Sequence, residues 1–392
     1  MAKLGECFSV IRNGASIRQT DGAGGFPITR IETIADKTIN REKFGYAEIY
    51  DLAQYRDYIL QDGDILMSHI NSEKHLGKVA LYSKQDDEQI IHGMNLLMLR
   101  ADTQKVIPEY AKYYFESQKF LRQIGRITKK SVNQASFTVT ALKELEIPLA
   151  SIIVQRDIAE KLKKVDWLVS LRKQQLAKLD ELVKARFVEM FGDPQENPRM
   201  WNKTALSKLI INANNGLARR GCAADGQIVL RLVELQNGRI DYSSPNRMVL
   251  NDNEKKKYLL NENDFLFARV NGNPENVGRC AVFHKIQEPV YYNDHIIRVH
   301  FNETVLDGKF AEVILNSLYG KRQMRQKIKT SAGQYTISQD GIGELSVIIP
   351  PISIQHKFSE YVKRIDRQKQ TVQRSLEKLE VMKKALMQEY FG

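Results

Sequence analysis

The sequence predicts an α+β protein made of two copies of one unit. Each copy is a globular part of mixed helix and strand followed by a long helix, and the two helices pair as an antiparallel coiled coil. Three observations lead there. The chain repeats itself at an offset of 200 residues, two long segments carry sustained 3-4 apolar spacing, and a polar stretch bounded by prolines separates the copies.

The repeat is plainest at the helix ends. Residues 178–194 read KLDELVKARFVEMFGDP, and residues 378–392 read KLEVMKKALMQEYFG. The offset is not confined to the tail. YILQDGDILMSHI at 58–70 aligns with YLLNENDFLFARV at 258–270 without a gap, and HGMNLLMLR at 92–100 falls on YNDHIIRVH at 292–300. NQASFTVTALKELEIPLASIIVQ at 133–155 falls on GQYTISQDGIGELSVIIPPISIQ at 333–355, and PITRIETI meets IVLRLVEL with a drift of one or two positions. Self-similarity at a long period fixes architecture, here an internal pseudo-twofold repeat. Positions of structural type stay apolar in both copies while most loop residues differ, which suggests similar work on two different targets.

In each globular part, short apolar runs read as strands. They are ITRIETI, DILMSHI, KVALY and LLMLR in the first copy, and VLRLVEL, DFLFARV, CAVFHK and IIRVHF in the second. One helix begins near Pro108 and its counterpart near Lys309. A polar, basic loop follows at 127–138 and 327–338, and a short return segment then leads into the long helix. Gly77 and Gly278 read as turn residues.

The helices carry the coiled-coil seam. In the first, Ile158, Leu162 and Val165 step by four and three and the spacing resumes at Leu176 and Leu179; in the second, Phe358, Val362 and Ile365 do so and it resumes at Leu376 and Leu379. About 39 residues of helix extend about 55–60 Å, too long a stripe to bury on one small domain. Arg172, Lys369 and Lys383 interrupt the seam, and the matching positions in the other copy are Val372, Val169 and Val183. Asp193-Pro194 through Pro198 ends the first helix. The divisions expected are 1–150, 151–192, 193–201, 202–350 and 351–392.

These parts together resemble the specificity subunit of type I restriction-modification systems. The resemblance rests on GDIL…LGKVALY, the late Gly/Gln/Ser/Thr loop, IIPPISIQHKF opening a long helix that ends near an aromatic-Gly, and the linker FGDPQENP with Trp201. It covers the whole chain. The first copy departs at Ala150-Ser151, where the second has Pro350-Pro351, and at Val132-Asn133, where the second has Ala332-Gly333. The resemblance implies two target recognition domains, each reading one half of a bipartite site in double-stranded DNA. It implies that the helices set the gap between half-sites and dock two methyltransferase subunits, with restriction subunits as a further partner. S-adenosylmethionine is expected in the partner methyltransferase, with no cofactor in this chain.

Composition agrees with a polyanion partner. Net charge is +12, which favours nucleic acid. The start MAKLGECFSV has no signal-peptide apolar region, no apolar run reaches membrane-spanning length, and Cys7, Cys222 and Cys280 have no metal-ligand spacing. A reduced, cytoplasmic protein is expected. No catalytic motif frames the seven histidines, and GAGGF at 22–26 lacks the strand–helix context of a phosphate cradle. The chain is expected to be non-catalytic by itself.

Arg suits guanine and Asn or Gln suits adenine in the major groove, because each makes two hydrogen bonds. On that ground the first-copy candidates are His69, Asn71, Lys74, Lys129, Lys130, Asn133 and Gln134. Those of the second are Arg219, Arg220, Arg269, Asn271, Asn273, Arg279, Lys329 and Gln334. The rival reading is a non-enzymatic coiled-coil scaffold whose globular units bind RNA or protein. Charge alone does not separate the two.

Overall fold

The structure is a computed structural model that describes residues 1–392 apart from Ala23, Asn133, Asn237 and Ala332. The chain falls into two compact units. Unit 1 is Met1–Gln174 with Gln373–Gly392, and unit 2 is Gln175–Val372. Each unit therefore owns one globular part and half of each long helix, a grouping that the linear division of the sequence does not anticipate.

Each unit is built on a four-stranded antiparallel sheet. In unit 1 the strands are β1 (Phe8–Asn13), β2 (Ile65–Ser68), β3 (Val79–Leu81) and β4 (Leu96–Ala101), in the order β1-β4-β2-β3. In unit 2 they are β5 (Ile210–Asn215), β6 (Phe265–Ala268), β7 (Cys280–Val282) and β8 (Ile296–Phe301), in the order β5-β8-β6-β7. The register repeats as well: Ile65 faces Leu99, and Phe265 faces Val299. Even the register shift in the first strand recurs, between Phe8 and Val10 and between Ile210 and Asn212.

The central strands are buried on both faces, and alternation assigns each side chain to one of two cores. Ile65, Met67, Leu97 and Leu99 enter the helix-side core of unit 1, while Leu66, Leu96 and Met98 enter a smaller core on the other face. Phe265, Phe267, Ile297 and Val299 do the first job in unit 2; Leu266, Ala268 and Ile296 do the second. That double coverage is why these strands read as continuous apolar runs.

The single helix expected in each globular part is two. Pro108–Glu116 is followed by Gln118–Ile127, and Gly308–Asn316 by Leu318–Lys327. Ser117 and Ser317 make the breaks: each hydroxyl accepts a backbone N–H of the next helix, from Phe120 and Gly320 respectively. ITRIETI also departs from expectation. Only Pro27–Ile28 is strand, and Ile31–Ile34 forms a 3₁₀ turn. Thr33 Oγ1 accepts the Arg30 N–H and the Arg30 side chain binds Gln19, Asp21 and the Thr20 carbonyl, so local polar bonds outcompete pairing.

The long helices are Ile152–Phe191 and Ile352–Phe391, and within each unit their segments run antiparallel. In unit 1, Asp166 meets Lys383 and Arg172 meets Ser375. In unit 2, Asp180 meets Lys369 and Phe187 meets Phe358. The seam residues Ile158, Leu162, Val165, Leu179, Phe358, Val362, Ile365 and Leu376 are buried, and Leu176 and Leu379 are half-buried. The cations that interrupt the seam have partners across it. Lys383 Nζ lies 2.6 Å from Asp166, Lys369 Nζ lies 2.5 Å from Asp180, and Arg172 Nε donates to Ser375 Oγ.

Two matched devices tie the helices to the sheets. Gln155 is fully buried; its Oε1 accepts the Ile107 N–H, and its Nε2 donates to the Lys105 and Ala150 carbonyls. Gln355 makes the same three bonds to Asp307, Val305 and Pro350. The aromatic helix ends dock on the other copy's globular part: Phe191 packs on Phe310 within unit 2, and Phe391 on Tyr110 and Tyr114 within unit 1. That exchange explains why the repeated phrase closes both helices. No helix among the described residues is long and apolar enough to cross a membrane.

Candidate nucleic-acid interface

Beyond the open end of β2 the chain continues into Ile70–Asn71, which pairs with Ala135–Ser136, which pairs in turn with Lys129–Lys130. The two loops singled out by chemistry thus join in one three-stranded ribbon, with Asn71, Ala135 and Lys130 in register across it. Unit 2 builds the same ribbon from Val270–Asn271, Gln334–Thr336 and Lys329–Ser331. Gly77 and Gly278 turn the chain back toward the sheet at φ +70° and +78°, in the left-handed region that favours glycine. Gly77 donates its N–H to the Ser68 carbonyl, and Gly278 donates to that of Ala268.

The ribbon sorts the candidates. Lys74, Lys129, Lys130 and Gln134 are exposed in unit 1, as are Asn273, Lys329 and Gln334 in unit 2. Lys130 lies 2.8 Å from Glu73, a pair open to solvent on both sides and therefore weak. Asn71 and Asn271 spend their side-chain oxygens on the backbone N–H groups of Ser72 and Asn273, which shapes the loop and leaves their amide N–H groups to donate. Asn133 lies outside the described residues.

Five candidates sit elsewhere than on the ribbon surface. His69 is buried beneath it, edge-on to Phe137 at 6.3 Å, and burial lowers its pKa to about 4. It supports the ribbon as a neutral imidazole. Arg279 is half-buried, with Nη1 3.4 Å from Gln236 Oε1, and burial lowers its pKa. Arg219 is spent on Glu254, through Nε at 2.6 Å and Nη2 at 2.7 Å, and on the Val249 carbonyl. Arg220 stands in the same loop but points to the ribbon's root, where it meets Asp294 and His295. Arg269 reaches the same place, donating from Nη1 to the Asp294 carbonyl at 3.1 Å.

Sequence reasoning missed Asp294 and His295. The signal was present in the internal repeat: YNDH at 292–295 falls on HGMN at 92–95, a stretch between two apolar strands where the copies share none of four residues. His295 has its pKa lowered, first by burial and then by Arg220 and Arg269, against the opposing effect of Asp294.

Two equivalent ribbons carry different side chains, each rooted in its own unit's four-stranded sheet, and the chain is a tandem of two such modules. Comparison with known proteins gives its family. A family model described as "Type I restriction modification DNA specificity domain" matches residues 1–181 and 226–381, once per copy, and the chain belongs to that family. A putative type I restriction enzyme MjaX specificity subunit from Methanocaldococcus jannaschii is 39% identical over 210 residues, which is 53% of this chain and 48% of that protein. The type I restriction enzyme StySPI specificity subunit of Salmonella potsdam is 27% identical over 279 residues, 67% of this chain and 58% of that one. The matched stretches span about half the length of these curated relatives. Among solved structures, the S subunit of a type I restriction-modification system from M. genitalium superposes with a TM-score of 0.62 at 15% identity, covering 100% of this chain and 95% of that chain. At that identity the likeness concerns the fold.

Proposed function

We propose that the chain is the DNA specificity subunit of a type I restriction-modification complex, and that it is not itself an enzyme. Each ribbon and its flanking loops read one half of a bipartite duplex site. The paired helices set the separation of the half-sites and dock two methyltransferase subunits, with a restriction subunit as a further partner. S-adenosylmethionine binds in the methyltransferase. The carrying observation is the duplicated ribbon: one backbone built twice, with a buried neutral His69 at the root of one and Arg269 at the root of the other. Identical readers would need identical side chains there, so two different half-sites follow. Pseudo-twofold repetition also suits two copies of one partner.

The test is a map of methylated bases in cells that express this chain with its neighbouring methyltransferase, against cells that lack the chain. A split motif, modified only when the chain is present, is the expected result. A continuous short motif would mean that the two units do not read DNA separately. Absence of modification, with the methyltransferase shown to be folded, would leave a scaffold role.

A further inference from the structure

At the root of the second ribbon, side chains from three separate stretches converge. Arg269 follows β6; its backbone N–H donates to the His295 carbonyl at 2.8 Å and its Nη1 to the Asp294 carbonyl at 3.1 Å. Arg220 arrives from a loop 49 positions earlier in the chain. Its Nη1 donates to Asp294 Oδ1 at 2.7 Å and to the Ala218 carbonyl at 2.9 Å, and its Nη2 lies 3.0 Å from His295 Nε2. Arg269 is held through Nη1, and Arg220 through Nη1 and Nη2. Arg269 keeps its whole Nε–Nη2 edge without a partner among the described residues, and Arg220 keeps its Nε–H and the second N–H of Nη2. An Nε–Nη2 edge is the fork that matches guanine N7 and O6. Held arginines lose less freedom on binding than free ones, so the fork is pre-organised.

The first unit differs at each corresponding position. His69 is buried where Arg269 stands, and Met94 and Asn95, both exposed, occupy the places of Asp294 and His295. Asn can pair with adenine N6 and N7, and an apolar side chain can meet the thymine methyl.

We infer that Arg220 and Arg269 are the base-reading centre of the second unit and demand a G·C pair in its half-site, while Asn95 with Met94 reads an A·T pair at the equivalent place in the first. This rests on the reading of the chain as a DNA specificity subunit. Losing one bidentate pair of hydrogen bonds relaxes discrimination at one base pair by about 5- to 150-fold.

The experiment is the methylation map of the complex assembled from the full chain and its methyltransferase, repeated for Arg220→Ala, Arg269→Ala and Arg219→Ala. The expected result is that the first two tolerate replacement of a G·C pair in one half-site, with the other half unchanged. Arg219→Ala keeps the parental motif, since its fork already grips Glu254. Unrelaxed stringency in both Arg220→Ala and Arg269→Ala, or a parental motif with no G·C pair in either half, would overturn the inference. If the alanine variants methylate nothing, Arg220→Gln and Arg269→Gln keep a long polar side chain whose amide suits adenine and not guanine. Relaxation at a G·C pair in those variants supports the inference, and parental stringency overturns it. No methylation by the parental complex would instead sink the underlying reading.

Discussion

Replacing Gln355 by Leu tests whether the buried glutamine is what fixes the long helix to its globular part. The side chain is 0% exposed and holds three backbone groups: the Asp307 N–H at 2.9 Å, the Val305 carbonyl at 2.9 Å and the Pro350 carbonyl at 2.8 Å. Leucine fills most of the volume but satisfies none of them. An orphaned buried polar group costs about 1–3 kcal/mol, and carbonyls, with a second lone pair, sit at the low end. One N–H at about 2 and two carbonyls at about 1 each give a loss of about 4 kcal/mol. For a domain of this size that lowers the melting temperature by roughly 8–16 °C. Gln155→Leu makes the same three losses in unit 1 and should cost a similar amount. The assay is thermal and urea denaturation of the full chain. A loss below about 1 kcal/mol, the range of a surface change, would refute the reasoning and mean that apolar packing alone seats the helix.

Further expectations concern charge. Lys383→Val installs the residue found at the matching place in the other helix, yet leaves Asp166 and the nearly buried Glu116 with only Lys112 for compensation. It should cost about 1–2 kcal/mol in denaturation. Lys369→Val loses Asp180, whose side chain is 60% exposed, and a long 3.9 Å contact with Asp366, which keeps Lys309 at 3.2 Å; it should change stability by less than about 0.5 kcal/mol, and equal effects would show that burial of the partner carboxylate is irrelevant. His69, with a folded pKa of about 4 against 6.5, binds its proton more readily in the unfolded chain. Its contribution is full above pH about 6.5 and is lost as pH falls toward about 4, by about 3 kcal/mol in all. His69→Phe should flatten that part of the stability–pH curve, and an unchanged slope would mean that the imidazole is not held neutral. Lys129→Ala with Lys130→Ala should weaken duplex binding about equally on all sequences and reduce the slope of log K against log salt by about 0.9 for each phosphate no longer neutralised. A changed sequence preference would make these lysines base readers instead.

The repeat, the helices and the general chemistry are legible without any coordinates. Those features are periodic or local: KLDELVKARF against KLEVMKKALM shows duplication directly, and 3-4 apolar spacing follows from helical geometry whatever the helix packs on. The 69–74 and 127–138 loops read only as two separate basic clusters, because pairing between Asn71 and Ala135 is a long-range contact without a local signal. Which candidates face solvent is settled only in three dimensions. His69 and Arg269 occupy equivalent backbone positions, yet one is buried against Phe137 and the other reaches Asp294, because burying an uncharged imidazole costs far less than burying a guanidinium. Arg219 and Arg220 are neighbours in sequence, and only the position of Glu254 and Asp294 in space shows that one is spent on Glu254 and the other turns to Asp294 at the ribbon's root. The same holds for the helix ends. Phe191 and Phe391 look alike in the sequence, and the exchange of each onto the other copy's globular part follows from antiparallel pairing, which places the end of one helix beside the beginning of the other.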